Sequence, residues 1–435
     1  MSLPRYPEYK HSGVAWLGEI PAHWKQLRLK RLFRLTTDKA SACLNPVALE
    51  NVEGWTGRFL ASESEFSGEG VAFHPGDILF GKLRPYLAKV LLASEPGEAV
   101  GDFHVLRPTA SIVPRFAQYQ LLSTDFISVV DGATYGSKMP RASWDFLGDM
   151  PLLVPNGDEQ LAIIEFLDRE TAKIDALIAE QEKLLALLTE KRQATISHTV
   201  TRGLNPNVPM KDSGIPWLGD VPKHWEVARL KFIASVQTGI AKGKDTTGKD
   251  IINVPYLRVA NVQDGHLALD EIATIDIEPD QLGRYLLQRG DVLMNEGGDF
   301  DKLGRGTLWN GEIEGCIHQN HVFAVRPHGV DPQWINQVTS SQYAQFYFMG
   351  RSKQSTNLAS ISSTNIMELP VLLPPAEEQA AILRFVEGES SRLHALRDVA
   401  QQAVDLLKER RSALISAAVT GKIDVRGQSL ATEVS

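Results

Sequence analysis

Two stretches of the chain carry apolar residues at helical spacing with little to interrupt them. Between Asp158 and Arg202 there is neither proline nor glycine. Ile164, Leu167, Ile174, Leu177, Leu184, Leu188 and Ile196 recur there mostly at steps of three, four and seven residues. Asn156 or Asp158 can cap the start, and Asp158 and Glu159 sit at the positive end of the helix dipole. Lys191, Arg192 and Arg202 sit toward the negative end, and Gly203 and Pro206 stop the run. About 40 residues at about 1.5 Å each predict a rod of about 60 Å. The segment from about residue 376 to 419 repeats the pattern with Leu383, Val386, Leu393, Leu396, Ala403, Leu407 and Ile415, each 219 residues after its counterpart; Gly388 is its weak point. One narrow apolar seam on an otherwise charged helix is the signature of a coiled coil. Two related helices in one chain, packed about an approximate two-fold axis, run antiparallel.

Flanking these helices are short runs rich in Val, Ile, Leu and Phe between Gly, Pro and Asp signals, such as Ile78–Phe80, Tyr256–Val262 and Val322–Val325. The predicted class is α+β. Two α/β domains with mostly β cores, residues 1–155 and 204–374, are separated by two long antiparallel helices that form a coiled coil with pseudo-two-fold symmetry. The helices occupy residues 156–203 and 375–435, the second ending in a C-terminal tail.

The chain repeats itself beyond the helices. Ser12–Gly18 (SGVAWLG) returns as Ser213–Gly219 (SGIPWLG), 201 residues later. Ile20, Pro21, His23 and Trp24 return as Val221, Pro222, His224 and Trp225, and Arg28–Lys30 as Arg229–Lys231. A second echo, 219 residues apart, matches Pro151–Pro155 to Pro370–Pro374 and Glu159-Gln160 to Glu378-Gln379. Between the echoes similarity fades to fragments such as Gly76–Phe80 against Gly290–Met294. Divergent inserts on a duplicated frame predict one scaffold presenting two different recognition surfaces. Trp16, Trp24, Trp217 and Trp225, present in both copies, belong to the frame, and the repeated Glu-Gln pairs are read as helix capping and dipole effects.

Composition narrows the function. At 435 residues with 43% hydrophobic and 23% charged content the chain is globular and multidomain. Its only cysteines are Cys43 and Cys316, so neither a disulfide framework nor a structural zinc site is expected and a reducing cytosol fits. No export signal and no run of about 18 apolar residues appears, so no membrane partner is expected. A formal charge of −8 is unusual for a DNA binder. Residues 1–155 balance acid against base and the excess acid lies beyond them, so if the chain binds DNA it should do so weakly alone, with a partner supplying further phosphate contacts.

Catalytic motifs are incomplete. The Asn-Pro pairs Asn45-Pro46 and Asn205-Pro206 lack the rest of a methyltransferase motif. Gly239–Lys244 is one residue short of a Walker loop, with Asp245 where Ser or Thr would bind magnesium. Glu8–Lys10 has no upstream Asp to complete a nuclease metal pair.

With the framing motif SGxxWLGxxPxHW present twice, and PLLVP and its counterpart PVLLP each followed by Glu-Gln at a helix start, the whole chain resembles the specificity (S) subunits of type I restriction-modification enzymes. The resemblance implies two target recognition domains, each followed by a conserved helix, and a non-catalytic subunit that reads a bipartite DNA sequence. It implies double-stranded DNA, methyltransferase (M) subunits in two copies and restriction (R) subunits as partners. It implies no cofactor on this chain, with S-adenosylmethionine, ATP and magnesium on the partners. A coiled-coil scaffold that holds proteins together without DNA readout is the rival reading.

Candidate DNA contacts come from the variable segments. In the first, Lys82, Arg84 and Tyr86 of GKLRPYLAK and Lys138 and Arg141 of GSKMPRASW offer charge and an aromatic face. In the second, family-like strings supply Lys242 and Lys244, Arg258 and Asn261, and Asn295, Lys302 and Arg305 in a glycine-rich loop. Gln319, Asn320 and His321 follow beside a strand, where amides suit adenine. His104 stands in a shorter string, FHVLRP, so the two domains are expected to read different bases.

Overall fold

The computed structural model describes residues 4–39, 45–61, 70–136, 138–243, 248, 250–298, 300, 303–304, 306–354 and 359–428. Cys43, Lys244, Lys302 and Arg305 lie outside the described residues. The chain forms two compact units: Met1–Glu182 with Gln401–Ser435, and Lys183–Ala400. Two long helices, Gly157–Arg202 and Ala376–Val419, each begin in one unit and end in the other. Gly388 does not break the second.

The first unit is built on a four-stranded antiparallel sheet in the order Phe33–Thr36, Phe103–Pro108, Ile78–Gly81, Val90–Leu92. The second unit repeats it as Ala234–Thr238, Val322–Pro327, Val292–Asn295, Gly306–Leu308. The framing motifs fold alike in both copies. Tyr9–His11 pairs with Glu19–Pro21 as Met210–Asp212 pairs with Asp220–Pro222. Lys25–Arg28 pairs with Pro151–Val154 as Glu226–Arg229 pairs with Pro370–Leu373. The echoes found in the sequence are therefore two-stranded clamps that draw the ends of each variable segment together.

A turn before each central strand is also duplicated. Gly76 and Gly290 take φ values of 89° and 96°, a region glycine enters at little cost. The following aspartate carboxylate accepts from the His74 backbone N–H at 2.9 Å in one unit and from the Gln288 N–H at 2.8 Å in the other. Asp77 then receives Arg107 Nε and Nη2 at 3.0 and 2.8 Å, and Asp291 receives Arg326 Nε and Nη2, both at 2.7 Å. Both aspartates are buried, so each paired guanidinium supplies what water would otherwise give the carboxylate.

The helices pack antiparallel within each unit. In the first, Asp175 meets Arg411 and Glu182 meets Lys408, so one helix advances as the other retreats. Ile163, Phe166, Leu167, Ile174 and Ile415 are buried there; in the second unit Leu188, Ile196, Val386 and Leu393 are buried. Leu177, Leu184 and Leu396, expected in the seam, are instead 52%, 41% and 48% exposed. The buried line is displaced from them and accepts Thr171 at a position with no aliphatic side chain to mark it.

Each helix start is tied into its own unit. Asn156 Oδ1 accepts the Glu159 backbone N–H at 2.9 Å. Glu159 does more than favour the dipole: its buried carboxylate contacts His23 Nε2 at 3.0 Å, and Glu378 meets His224 Nε2 at 2.7 Å and Trp225 Nε1 at 3.1 Å. The ring of Trp24 and that of Trp225 are fully buried, as expected of frame residues. In the first unit the segment before the first clamp meets the turn after the second long helix, since the Asp424 N–H donates to the Pro4 carbonyl at 2.8 Å and the Tyr9 hydroxyl to the Gly421 carbonyl at 2.9 Å.

Candidate nucleic-acid interface

Most of the candidate residues that the structure describes gather where the central strand of each four-stranded sheet ends. In the first unit that strand is followed by Lys82, whose N–H donates to the Asp102 carbonyl at 2.8 Å. Residues 138–142 lie alongside: Arg84 N–H donates to the Pro140 carbonyl at 2.8 Å, Ala142 N–H to the Lys82 carbonyl at 2.9 Å, and Leu83 bridges Arg141. The two strings picked from the first variable segment thus form one surface.

Their side chains divide into two groups. Arg141 forks onto Asp102 through Nε and Nη2 at 3.1 and 3.0 Å, and Lys82 Nζ stands 3.9 Å from the same carboxylate. Arg84 and Lys138 are exposed, and neither has a charged partner among the described residues. Arg84 adopts φ 50°, unusual for a residue with a side chain, at the entrance to the short turn Pro85–Leu87. Around these cations Tyr86, Tyr135 and Met139 are all exposed. Tyr86 is legible from its own string, whereas nothing in the spacing of Asp102, Tyr135 and Met139 shows that they fold back beside residue 82. His104, just behind, sets its Nε2 3.0 Å from the Ala142 carbonyl; burial holds its pKa below 6.5 although that hydrogen bond opposes the shift.

The second unit places different chemistry at the same point. Glu296 takes the place of Lys82: its N–H donates to the His321 carbonyl at 2.9 Å, and its carboxylate meets His321 Nδ1 at 2.6 Å. Asn320 Nδ2 lies 3.4 Å from His321 Nε2. The loop is held by the Asn320 N–H on the Ile240 carbonyl at 3.1 Å and the Gln319 N–H on the Leu257 carbonyl at 2.9 Å. Exposed Lys242 and Arg258 therefore flank Gln319, Asn320 and His321.

Asn261 and Asn295 point inward. Asn261, 3% exposed, accepts the Arg258 N–H at 2.9 Å and donates to the Ala268 and Glu271 carbonyls, both at 2.9 Å. Asn51 does the same in the first unit, accepting the Ala48 N–H at 2.9 Å and donating to the Leu60 carbonyl at 3.1 Å. The repeated Asn-Val pairs at 51–52 and 261–262 were the signal for this shared turn. Asn295 Nδ2 donates to the Val262 carbonyl at 2.8 Å and ties that turn to the sheet.

Among the described residues no group of three or more His, Cys, Asp or Glu is arranged to hold a metal ion, and no helix is long and apolar enough to cross a membrane.

No protein-family model matches the chain. It is 27% identical over 311 residues to the type I restriction enzyme EcoKI specificity subunit of Escherichia coli (strain K12), covering 69% of this chain and 63% of that protein. It is 25% identical over 306 residues to the StySPI specificity subunit of Salmonella potsdam, covering 69% and 62%. The chain thus spans less than two thirds of these relatives in the matched regions. Among solved structures, a chain of a type I R-M system described for its complex assembly and conformational transition superposes with a TM-score of 0.62 at 19% identity, covering 92% of this chain and 98% of that one. That likeness establishes the fold.

Proposed function

We propose that this chain belongs with the type I restriction enzyme specificity subunits and is the subunit that reads a bipartite DNA target, one half through each unit. One observation carries the reading: a duplicated frame holds two chemically different loop clusters at the same point of the same sheet. A constant scaffold with unlike tips suits two unlike half-sites.

The segments 1–155 and 204–374 act as the two target recognition domains. The helices of 156–203 and 375–435 join them and set the spacing between half-sites. Arg84 and Lys138 in the first domain, and Lys242 and Arg258 in the second, face DNA with Tyr86, Gln319, Asn320 and His321. Lys82 and Arg141 hold their loop through Asp102, while Asn261 and Asn295 support the tip from within. Two methyltransferase subunits dock on the helices and framing clamps, and restriction subunits join them. S-adenosylmethionine, ATP and magnesium are bound by those partners in the cytosol. The chain carries no catalysis of its own.

The deciding experiment replaces residues 25–150 with the corresponding segment of another specificity subunit and reads the methylated sequence of the assembled complex. Only one half-site should change. A change in both halves, or in neither, overturns the division of labour.

A further inference from the structure

We propose that a cavity in the second unit, between the two long helices and the 263–266 turn, binds a phosphate-class oxyanion. The inference rests on the helix pair and goes beyond the DNA-reading tips described above. Each unit holds a cavity of about 510 Å³ at this place, walled by the turn after the duplicated asparagine and by both helices. The first serves as an internal reference for the second.

In the first unit the cavity's central cation is fully matched. Arg411 donates Nε to Asp175 at 2.8 Å and Nη1 to the Trp55 carbonyl at 2.9 Å, and Arg58 pairs with the same aspartate. In the second unit Arg192 stands in the place of Arg411, 219 residues earlier, but the place of Asp175 is taken by His394 and that of Ile178 by Arg397. The Nε of Arg192 is buried and has no hydrogen-bond partner, and no carboxylate pairs with its guanidinium among the described residues. Asp264 and Asp398 line the same cavity with His266, so two acids face two arginines and two imidazoles. Gly265, at φ 76°, brings the turn against Arg192, where a Cβ would lie 3.2 Å from Nη2.

A buried guanidinium N–H with no acceptor is costly, and the half-exposed planar fork that carries it matches a phosphate's oxygens. Arg192 supplies the fork, and Arg397 and His394 complete the ring of donors. The frame has kept the cation and replaced the carboxylate that meets it in the other copy by His394, so the acceptor for its unused donor comes from a ligand. Free phosphate and the DNA backbone present the same group.

The test uses the purified full chain at constant ionic strength, with chloride exchanged for inorganic phosphate and thermal unfolding followed. Phosphate should raise the midpoint saturably. Arg192→Gln and His394→Asp, the latter restoring the arrangement of the first unit, should each abolish the rise while circular dichroism stays unchanged. If phosphate and chloride act alike, the anion is the DNA's own. The slope of log K against log salt for the DNA complex with its methyltransferase should then fall by about 0.9 in both variants. Absence of both effects in the native protein, or survival of the observed effect in either variant, overturns the site. The phosphate arm needs neither DNA nor methyltransferase, so its outcome is separate from that of the DNA-reading proposal.

Discussion

Glu296 and His321 in the second unit hold the positions that Lys82 and Asp102 hold in the first. Both pairs share a backbone hydrogen bond, at 2.9 and 2.8 Å, and each sets an acidic side chain against a basic one, with the signs exchanged between the two strands. One scaffold therefore fixes the loop twice while reversing the charge that follows the central strand. Among the described residues the exposed cations without an ion-pair partner are Arg84 and Lys138 around Lys82, and Lys242 and Arg258 around the Gln319–His321 loop.

The first prediction separates free from committed cations. Arg84→Ala and Lys138→Ala should each reduce the salt slope of DNA binding by about 0.9, the loss of one phosphate contact. Arg141→Ala should change the slope by much less, because its guanidinium is occupied by Asp102 at 3.0 and 3.1 Å. Fluorescence anisotropy of the methyltransferase complex across a salt series checks this. An equal effect of all three would refute the distinction.

Much of the frame was legible in the sequence because its signals are local or duplicated. The long helices announce themselves by 45 residues from Asp158 to Arg202 without Pro or Gly, and the clamps by repeated Trp, Pro and His. Burial of Thr171 and exposure of Leu177 were not legible. Apolar residues on both sides of a narrow seam satisfy helical periodicity equally well, and partner packing decides between them. The tips were half legible. Arg84 and Gln319 stand in recognisable strings, whereas Tyr135, Met139 and Glu296 acquire meaning only through neighbours far along the chain. Asn261, whose string suggests a DNA contact, takes its place from a turn whose duplicate at Asn51 is masked in the sequence because the two lie 210 residues apart, at an offset unlike either of the longer echoes.

The buried ion pairs beneath the sheets give a second prediction. Asp291 is 0% exposed and holds both Nε and Nη2 of Arg326. Asp291→Asn leaves the guanidinium facing a neutral amide and should cost about 3 kcal/mol, toward the lower end for a broken buried pair because Arg326 is partly exposed. Asp77→Asn should do the same to the first unit. Urea denaturation of each variant measures the loss. A cost near zero for Asp291→Asn would mean that the pair contributes little beyond its hydrogen-bond geometry.

Glycine placement yields a third, asymmetric prediction. Gly421 and Gly203 end the two long helices at φ 73° and both abut a frame tryptophan. A Cβ on Gly421 would stand 2.4 Å from the Pro21 ring, whereas one on Gly203 would meet nothing nearer than 3.0 Å, at the end of the Glu378 side chain. Gly421→Ala should therefore lower the thermal midpoint clearly more than Gly203→Ala, since both pay the positive-φ strain and only one adds a clash with a rigid ring. Differential scanning calorimetry of the two variants decides it; equal shifts would refute the packing argument.

The last prediction concerns acid. His318 is fully buried, and its Nδ1–H donates to the Val322 carbonyl at 2.7 Å, which leaves Nε2 as the unprotonated nitrogen. That nitrogen is buried with no hydrogen-bond partner among the described residues, so protonating it would place a charge out of reach of water, a cost that the pull of Asp291 does not offset. Burial accordingly holds the pKa of His318 below 6.5, against the opposing pull of the Val322 hydrogen bond. As pH falls through 6.5 the unfolded chain takes up a proton that the folded chain refuses, and stability drops. The contribution of the neutral ring is complete above that value and is lost on the acid side, down to the depressed folded-state pKa. His104 adds to the same trend in the first unit. His318→Gln cannot titrate, so its unfolding midpoint should fall less steeply than that of the native protein between about pH 7 and about pH 5. Parallel profiles for the two proteins would mean that His318 takes up its proton as readily folded as unfolded.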